Sequence, residues 1–315
     1  MNIVWILNNY PPVVLAGAEF AAHRLNKWLL TQGHTVTVYI QSRDTYPAEF
    51  EGVSIKSLNL YDCYTMNLPQ NTILVSQLWA TRIAHSLWDR NVHCKYVEFV
   101  HYVDRTVISP YPWTSREFTM IYNSQDTKRR ALEIGSWLTS KPSYVLPPFV
   151  EPVSSEPSSS RADWITLVNF SKDKGADIFN RLAEKDTTRK YVGIKGSHGA
   201  QETPHSAVEL LNPTLDMESV WKNTRILVIL STYETWSMVA TEAMQRGIPV
   251  VCADHIPALK ENCEDAAIYV DRQNIDACIA AFQTIESRYD EFRQACLKQV
   301  KPPPFSTYTC IFGGV

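Results

Sequence analysis

Short apolar runs separated by longer amphipathic stretches set the rhythm of the chain. The run 2–7 (NIVWIL) reads as a strand, and 19–30 follows with Phe20, Leu25, Trp28 and Leu29 on one helical stripe. Gly33 closes that helix, and 35–40 (TVTVYI), rich in β-branched residues, reads as the second strand. Strand, helix and strand in about 40 residues form a βαβ unit, which implies a parallel sheet. The same pattern predicts strands at 53–58, 72–77, 94–100 and 118–123, with helices at 80–89 and 124–134. Periodicity then stops over 147–160 (PPFVEPVSSEPSSS), whose prolines make it a semi-rigid linker. Beyond it the rhythm restarts, with strands predicted at 164–168, 190–194, 208–211, 226–230, 248–252 and 267–270. Helices are predicted at 175–185, 217–223, 237–246, 275–285 and 289–300. The division is a first domain over 1–148, a linker over 149–162, a second domain over 163–300 and a tail over 301–315. The tail opens on three prolines, so it cannot start as a helix, and the pattern leaves it unplaced. Two α/β halves around one linker predict a ligand cleft between the carboxyl ends of two parallel sheets.

Composition narrows the classes. The 315 residues are 45% hydrophobic and 20% charged, enough for two packed cores. The net charge of −3 disfavours a nucleic-acid binder. The small excess of positive charge before residue 150 is too slight to assign a partner, although it is compatible with an anionic ligand or a membrane surface. Seven cysteines, odd in number and without a Cys-x-x-Cys, argue against a disulfide framework or a zinc site and for a reducing compartment. The N-terminus lacks a basic region and reads as a first strand rather than a signal peptide. No apolar run approaches the roughly 18 residues of a membrane span. The expected location is cytoplasmic, with peripheral contact at a membrane surface allowed. Nine tryptophans are the surplus, and Trp79, Trp88, Trp113 and Trp137 are candidates either for core packing or for stacking against sugar rings.

Four segments carry candidate chemistry. In 8–19 (NNYPPVVLAGAE), Ala16, Gly17 and Ala18 let a ligand approach the start of the first helix, or simply connect strand to helix. It is no Gly-x-Gly-x-x-Gly loop. In 172–175 (KDKG), Lys174 sits at the predicted start of a helix, where a cation has no local stabilising role. A phosphate would supply a partner worth about 4 kcal/mol at about 4 Å and an effective dielectric near 20; a solvated surface lysine is the alternative. In 191–199 (YVGIKGSHG), Lys195 lies in a glycine-rich loop suited to phosphate or to a plain turn. The strongest is 226–251 (ILVILSTYETWSMVATEAMQRGIPVV). Glu234 lies at the carboxyl end of a buried strand, Glu242 eight residues later in the helix, and the amides of Ser237, Met238 and Val239 at the helix start. For two glutamates alone, the better reading is that Glu234 only complements the helix dipole and Glu242 is a solvated helical residue.

Together these segments resemble a known family. YETWSMVATEAMQRGIPVV resembles the Glu-x7-Glu signature of retaining glycosyltransferase family 4 with its Gly-x-Pro-Val-Val continuation. The opening NNYPPVVLAGAEFAAHRLNKWLLTQGHTVTVY is similar to that family's first strand, loop and helix. LVNFSKDKGADIFNRLAEK with YVGIKGSHG is similar to its Lys-Gly donor region, and VCADHIPALKENCEDAAIYVD to the strand–loop–strand that follows the signature. The resemblance implies a GT-B fold, two Rossmann-like parallel-sheet domains facing each other across a cleft. The donor would be a UDP- or GDP-linked nucleotide sugar held mainly by the second domain, and the acceptor a carbohydrate or lipid-linked molecule. By position, Glu242 would bind the ribose and Glu234 would lie beside the donor sugar. Trp236, Ser237, Met238 and Val239 would meet the sugar and diphosphate, and Lys174 with Gly175 the departing diphosphate. His101, in EFVHY, matches the family histidine at the reaction centre, its alternative being a packed histidine among aromatics. Gly17 would approach the diphosphate from the first domain. The family's usual Gly-Arg pair is replaced by Asn169-Phe170, so an arginine contact is missing and Lys195 is the candidate substitute. The short, Pro-rich end suggests that the family's last helix, which returns to the first domain, is absent.

The reaction implied is transfer of the sugar with retention at the anomeric carbon, Lys174 and the loop amides stabilising the leaving diphosphate. The sequence has no Asp-x-Asp, which agrees with catalysis without a metal or other cofactor. The rivals are a nucleotide-sugar epimerase or hydrolase of the same fold, and a catalytically silent nucleotide-sugar-binding module.

Overall fold

The computed structural model describes residues 1–108, 116–153, 162–197 and 199–313. Most of the linker, 154–161, lies outside the described residues, as does Trp113. The chain divides into two compact units, Met1–Phe149 with Pro303–Val315, and Val150–Pro302.

Unit 1 is built on strands β1 (Asn2–Leu7), β2 (Thr35–Ile40), β3 (Glu49–Phe50), β4 (Val53–Ser57), β5 (Thr72–Gln77), β6 (Lys95–Val100), β7 (Thr119–Tyr122) and β8 (Ser143–Val145). They form one sheet in the order β3-β4-β2-β1-β5-β6-β7-β8, parallel except for the β3–β4 hairpin. The chain moves outward from β1 through β2, then returns to the other side of β1 with β5. The order therefore reverses between β1 and β5, and a parallel sheet opens a crevice at the carboxyl ends of such strands. The central strands carry continuous apolar runs because helices cover both faces. In β1 the side chains alternate between two cores: Val4 and Ile6 pack with Leu74 and Trp88, while Ile3, Trp5 and Leu7 pack with Leu25 and Val38.

The tail corrects the expectation of a missing last helix. Phe305–Phe312 is helical and belongs to unit 1. Its prolines bar only the approach: the helix begins one residue after Pro304, and Tyr308 and Phe312 recur at helical spacing on the face that meets the core. Both are buried, and the Trp28 ring lies 5.5 Å from that of Phe305, 6.1 Å from Tyr308 and 6.2 Å from Phe149.

Unit 2 contains β9 (Trp164–Val168), β10 (Lys190–Ile194), β11 (Val208–Leu211), β12 (Thr224–Ile229), β13 (Val250–Ala253) and β14 (Ala267–Val270). All are parallel, in the order β11-β10-β9-β12-β13-β14, so the order reverses between β9 and β12. The segment after β13, expected to be a loop, holds the helix Pro257–Cys263, with Pro257 at its first position where the missing N–H is harmless. No helix among the described residues is long and apolar enough to cross a membrane.

Candidate functional site

At the reversal point of unit 2, several contacts join the loops after β9 and β12. Thr232 N donates to the Asp173 carbonyl at 2.8 Å. Gly175, at φ 91°, packs so tightly on the second loop that a Cβ there would fall 2.5 Å from the Leu230 carbonyl oxygen. Lys174 Nζ lies 2.5 Å from Glu234 Oε1. Sequence order separates these loops by about 60 residues; sheet order makes them neighbours.

The ion pair corrects one expectation. Lys174 lies in a 3-10 turn, Lys172–Lys174, two residues before the helix Ala176–Lys185, and its charge has a partner without any phosphate. Its ammonium carries three N–H donors, of which Glu234 takes one. Glu234 is held in turn by Ser231 Oγ at 2.8 Å, and its side chain is 13% exposed against 32% for Lys174. The carboxylate is fixed from two sides and the lysine keeps its outer face to solvent.

Ser237 has the most unusual backbone in this region. It stands at φ 75°, a left-handed conformation that favours glycine, immediately before the helix Met238–Met244. Its hydroxyl is buried, makes no cap bond and meets no hydrogen-bond partner. The conformation is held by Asn262, whose Nδ2 donates to the carbonyls of Trp236 at 2.8 Å and Ser237 at 3.0 Å. Thr241 Oγ1 ties the set together: it receives Trp236 Nε1 at 3.1 Å and donates to Asn262 Oδ1 at 3.2 Å. Asn262, Thr241 and Ser231 were not visible as site residues in the sequence. The one signal for Asn262 was a polar residue inside a segment flanked by apolar ones, which reads as a turn. Glu242 sits about one turn into this helix, which starts at Met238. Val239 packs against the apolar core of unit 2.

The replacement of Gly-Arg by Asn169-Phe170 has a local explanation. Asn169 stands at φ 67°, which Asn tolerates better than most residues, so the backbone turn of a glycine is kept. Phe170 is fully buried, and a Cβ on Gly193 would fall 2.4 Å from its ring. Phe170 therefore fills space over β10 and presents nothing polar to a ligand. Lys195 Nζ bonds Asn212 Oδ1 at 3.1 Å, just beyond β11 and on the far side of β10 from β12. The structure brings Lys174 and Glu234 together and leaves Lys195 with a different partner.

The remaining predicted residues are in unit 1. Gly17 is the first residue of the helix Gly17–Thr31, whose Ala16 cap offers no side-chain bond to the first amides; buried Glu19 stands in the first turn. His101 follows β6, and its ring stacks on Phe99 at 5.8 Å, which stacks on Trp5 at 5.3 Å. Desolvation pushes the imidazole down to about 4, so it is neutral at pH 7. It borders a small recess with room for about one water molecule, lined also by Trp5, Leu25, Phe99 and Tyr308. Among the described residues no group of three His, Cys, Asp or Glu could hold a metal ion.

The fold and the reversal-point loops define an α/β protein of two parallel-sheet domains with the GT-B architecture. Residues 205–301 match the family model described as glycosyl transferases group 1, a segment that contains Glu234, Ser237, Glu242 and Asn262. No curated protein matches the chain by sequence. Among solved structures, a sucrose-phosphate synthase from Thermosynechococcus elongatus is similar at a TM-score of 0.72 and 13% identity, over 99% of this chain and 96% of that one. A trehalose-6-phosphate synthase, OtsA, matches at 0.67 and 13% identity, over 95% and 96% of the two chains. The E. coli trehalose-6-phosphate structure bound with UDP-2-fluoro glucose matches at 0.69 and 13% identity, over all of both chains. At such identities the likeness establishes the shared fold.

Proposed function

We propose that this protein is a retaining glycosyltransferase that moves a sugar from a nucleoside-diphosphate sugar to an acceptor without a metal ion. The observation that carries the reading is the Lys174–Glu234 pair at the reversal point of unit 2, where the sequence resemblance had put the donor. The group 1 glycosyltransferase match over 205–301 supports it, as does a structural relative whose title names a bound UDP-sugar analogue.

The roles follow from the chemistry of each group. Lys174 keeps two N–H donors for the diphosphate while Glu234 fixes the third. As the glycosidic bond breaks, negative charge grows on the leaving oxygen, and the lysine stabilises it more strongly than in the bound donor. The orphan Ser237 hydroxyl and the amides of Trp236, Ser237, Met238 and Val239 add donors beside it. Glu234 accepts from donor-sugar hydroxyls and Glu242 from the ribose. Gly175 lets the loop lie close to the ligand. His101, uncharged at pH 7, can act as a hydrogen-bonding group rather than as a cation. Lys195 has only a peripheral part in donor binding, since its ammonium is turned to Asn212.

A thermal-shift panel of UDP- and GDP-sugars tests the reading. A donor at 100 times its Kd raises stability by about 2.7 kcal/mol. Turnover with a hit donor, assayed with chelator, then reads metal dependence, and NMR of the product reads anomeric configuration. No shift with any nucleotide sugar overturns the proposal. Free sugar released without acceptor would point to a hydrolase, and binding without turnover to a silent module.

A further inference from the structure

The reversal point of unit 1, between β1 and β5, carries a second set of side chains that the donor chemistry does not use. After β5 the chain turns through Leu78–Ala80, with Leu78 at φ 57°, a conformation that a β-carbon-bearing apolar residue seldom adopts. The turn lifts Trp79 to 57% exposure. Next to it, after β6, stands Tyr102 at 37% exposure, with ring centroids 6.2 Å apart and planes at 36°. A hydrogen bond to Asp104 orients the Tyr102 phenol.

This turn is anchored from below. Glu98, on β6, is completely buried, and its carboxylate takes Ser76 Oγ at 2.5 Å, the Tyr96 hydroxyl, and Thr81 Oγ1 at 2.8 Å. Ser76 and Thr81 bracket the Leu78–Ala80 turn. A buried carboxylate with three hydroxyl partners is a demanding arrangement, and its effect is to fix both ends of the segment that presents Trp79.

Polar groups at the same edge point to the kind of ligand. Gln77, the last residue of β5, is 2% exposed and its Oε1 has no hydrogen-bond partner. Asn8 directly follows β1, and its buried Oδ1 is also without a partner. The strands pair through Ile6 and Ser76, so these amides end neighbouring strands on either side of the reversal point. Buried amide oxygens require donors. A hydroxyl suits either orientation of an amide because it both donates and accepts. Two flat rings and two unpartnered amides at one edge of the sheet match a pyranose, which has an apolar C–H face and a rim of hydroxyls.

We infer that Trp79 and Tyr102 form a stacking platform for a sugar ring, with Gln77 and Asn8 bonding its hydroxyls, and that this ring is part of the acceptor. The last clause rests on the glycosyltransferase reading; the platform itself does not. The acceptor is then a carbohydrate, or carries one at its reacting end, rather than a bare lipid.

Saturation-transfer NMR on the full chain tests this, with methyl α- and β-glucopyranoside, methyl mannopyranoside, methyl galactopyranoside and N-acetylglucosamine as probes. The wild-type chain should transfer saturation to the C–H protons of one ring face for at least one probe. Trp79→Ala should weaken that probe's binding about tenfold, and Trp79→Phe should retain most of it. Tyr102→Ala and Gln77→Leu should each weaken it several-fold. Trp79 is exposed, so unchanged melting of the W79A variant is expected and separates loss of binding from loss of fold. Sugar binding that is insensitive to Trp79→Ala, or absent for all probes at tens of millimolar, overturns the platform. Nucleotide-sugar thermal shifts run in parallel read the other site. Intact shifts with no sugar binding reject the platform alone, whereas sugar binding without nucleotide shifts keeps the platform and rejects the transferase reading.

Discussion

The side-chain amide of Asn262 donates to the main-chain carbonyl of Ser237 at 3.0 Å, and so holds a serine in a conformation that serines avoid. It reaches the Trp236 carbonyl at the same time. Asn262→Ala leaves two carbonyls short of a donor and should lower stability by about 1–3 kcal/mol. Asn262→Asp should be worse, because a carboxylate faces the same two oxygens. Urea denaturation measures both, and donor titration should show affinity falling with each.

Ser237→Ala should behave differently. The hydroxyl has no partner to lose, so the unfolding midpoint should stay level or rise. Donor affinity should fall about tenfold if the hydroxyl bonds the ligand, the equivalent of roughly 1.4 kcal/mol. Calorimetric titration with the best donor decides, and unchanged affinity removes Ser237 from the site.

Lys174→Ala should abolish most turnover, and Glu234→Gln should reduce it less. The two are in contact, so their effects on donor binding should be strongly non-additive. A double-mutant cycle on donor Kd measures the coupling. Additive losses would mean that the pair does not act as a unit in the complex.

Glycine 175 offers a steric test. Gly175→Ala forces a Cβ to 2.5 Å from the Leu230 carbonyl oxygen, whereas Gly199, at φ 76°, has nothing within 4 Å of its added Cβ. Gly199→Ala should cost about 1–2 kcal/mol from the left-handed backbone alone. Gly175→Ala should cost clearly more, since the two loops must separate, and denaturant midpoints of the pair give the difference.

Acid should weaken unit 1 before its carboxylates titrate. Desolvation lowers both His101 and His85 to about 4; around His85 the Asp89 charge opposes this and Arg116 adds to it. The unfolded chain therefore binds more protons than the native one between about pH 6.5 and 4. Stability from these groups is complete above pH 6.5 and is lost as pH falls toward 4, by at most about 1.4 kcal/mol per pH unit for each. Melting curves of wild type and His101→Gln should differ in slope over that interval, the variant being flatter.

How much of this was legible beforehand follows from where the information lies. NIVWIL is readable because a central parallel strand buried on both faces needs an unbroken apolar run, and TVTVYI because its β-branched residues alternate between buried and more open positions. The helix Phe305–Phe312 was hidden by the prolines before it, and only its docking on Trp28 and Phe149 shows what its aromatic residues are for. The helix Pro257–Cys263 is not legible in the sequence, because a proline start and seven residues give little periodicity. Trp88 looked like a candidate for sugar stacking and is core; Trp79, nine residues earlier, is exposed. Composition could not separate them, since exposure is a property of neighbours.

The sequence by itself determined the two α/β halves, the small-residue loops and the positions of Lys174, Glu234 and Glu242, because each depends on residues near in the chain. Only the tertiary structure decided that Lys174 is already paired with Glu234, that Phe170 fills the core, and that Asn262 holds Ser237. Sheet order makes β9 and β12 neighbours across 60 residues of chain, and contacts of that range are set by packing, to which local periodicity is blind.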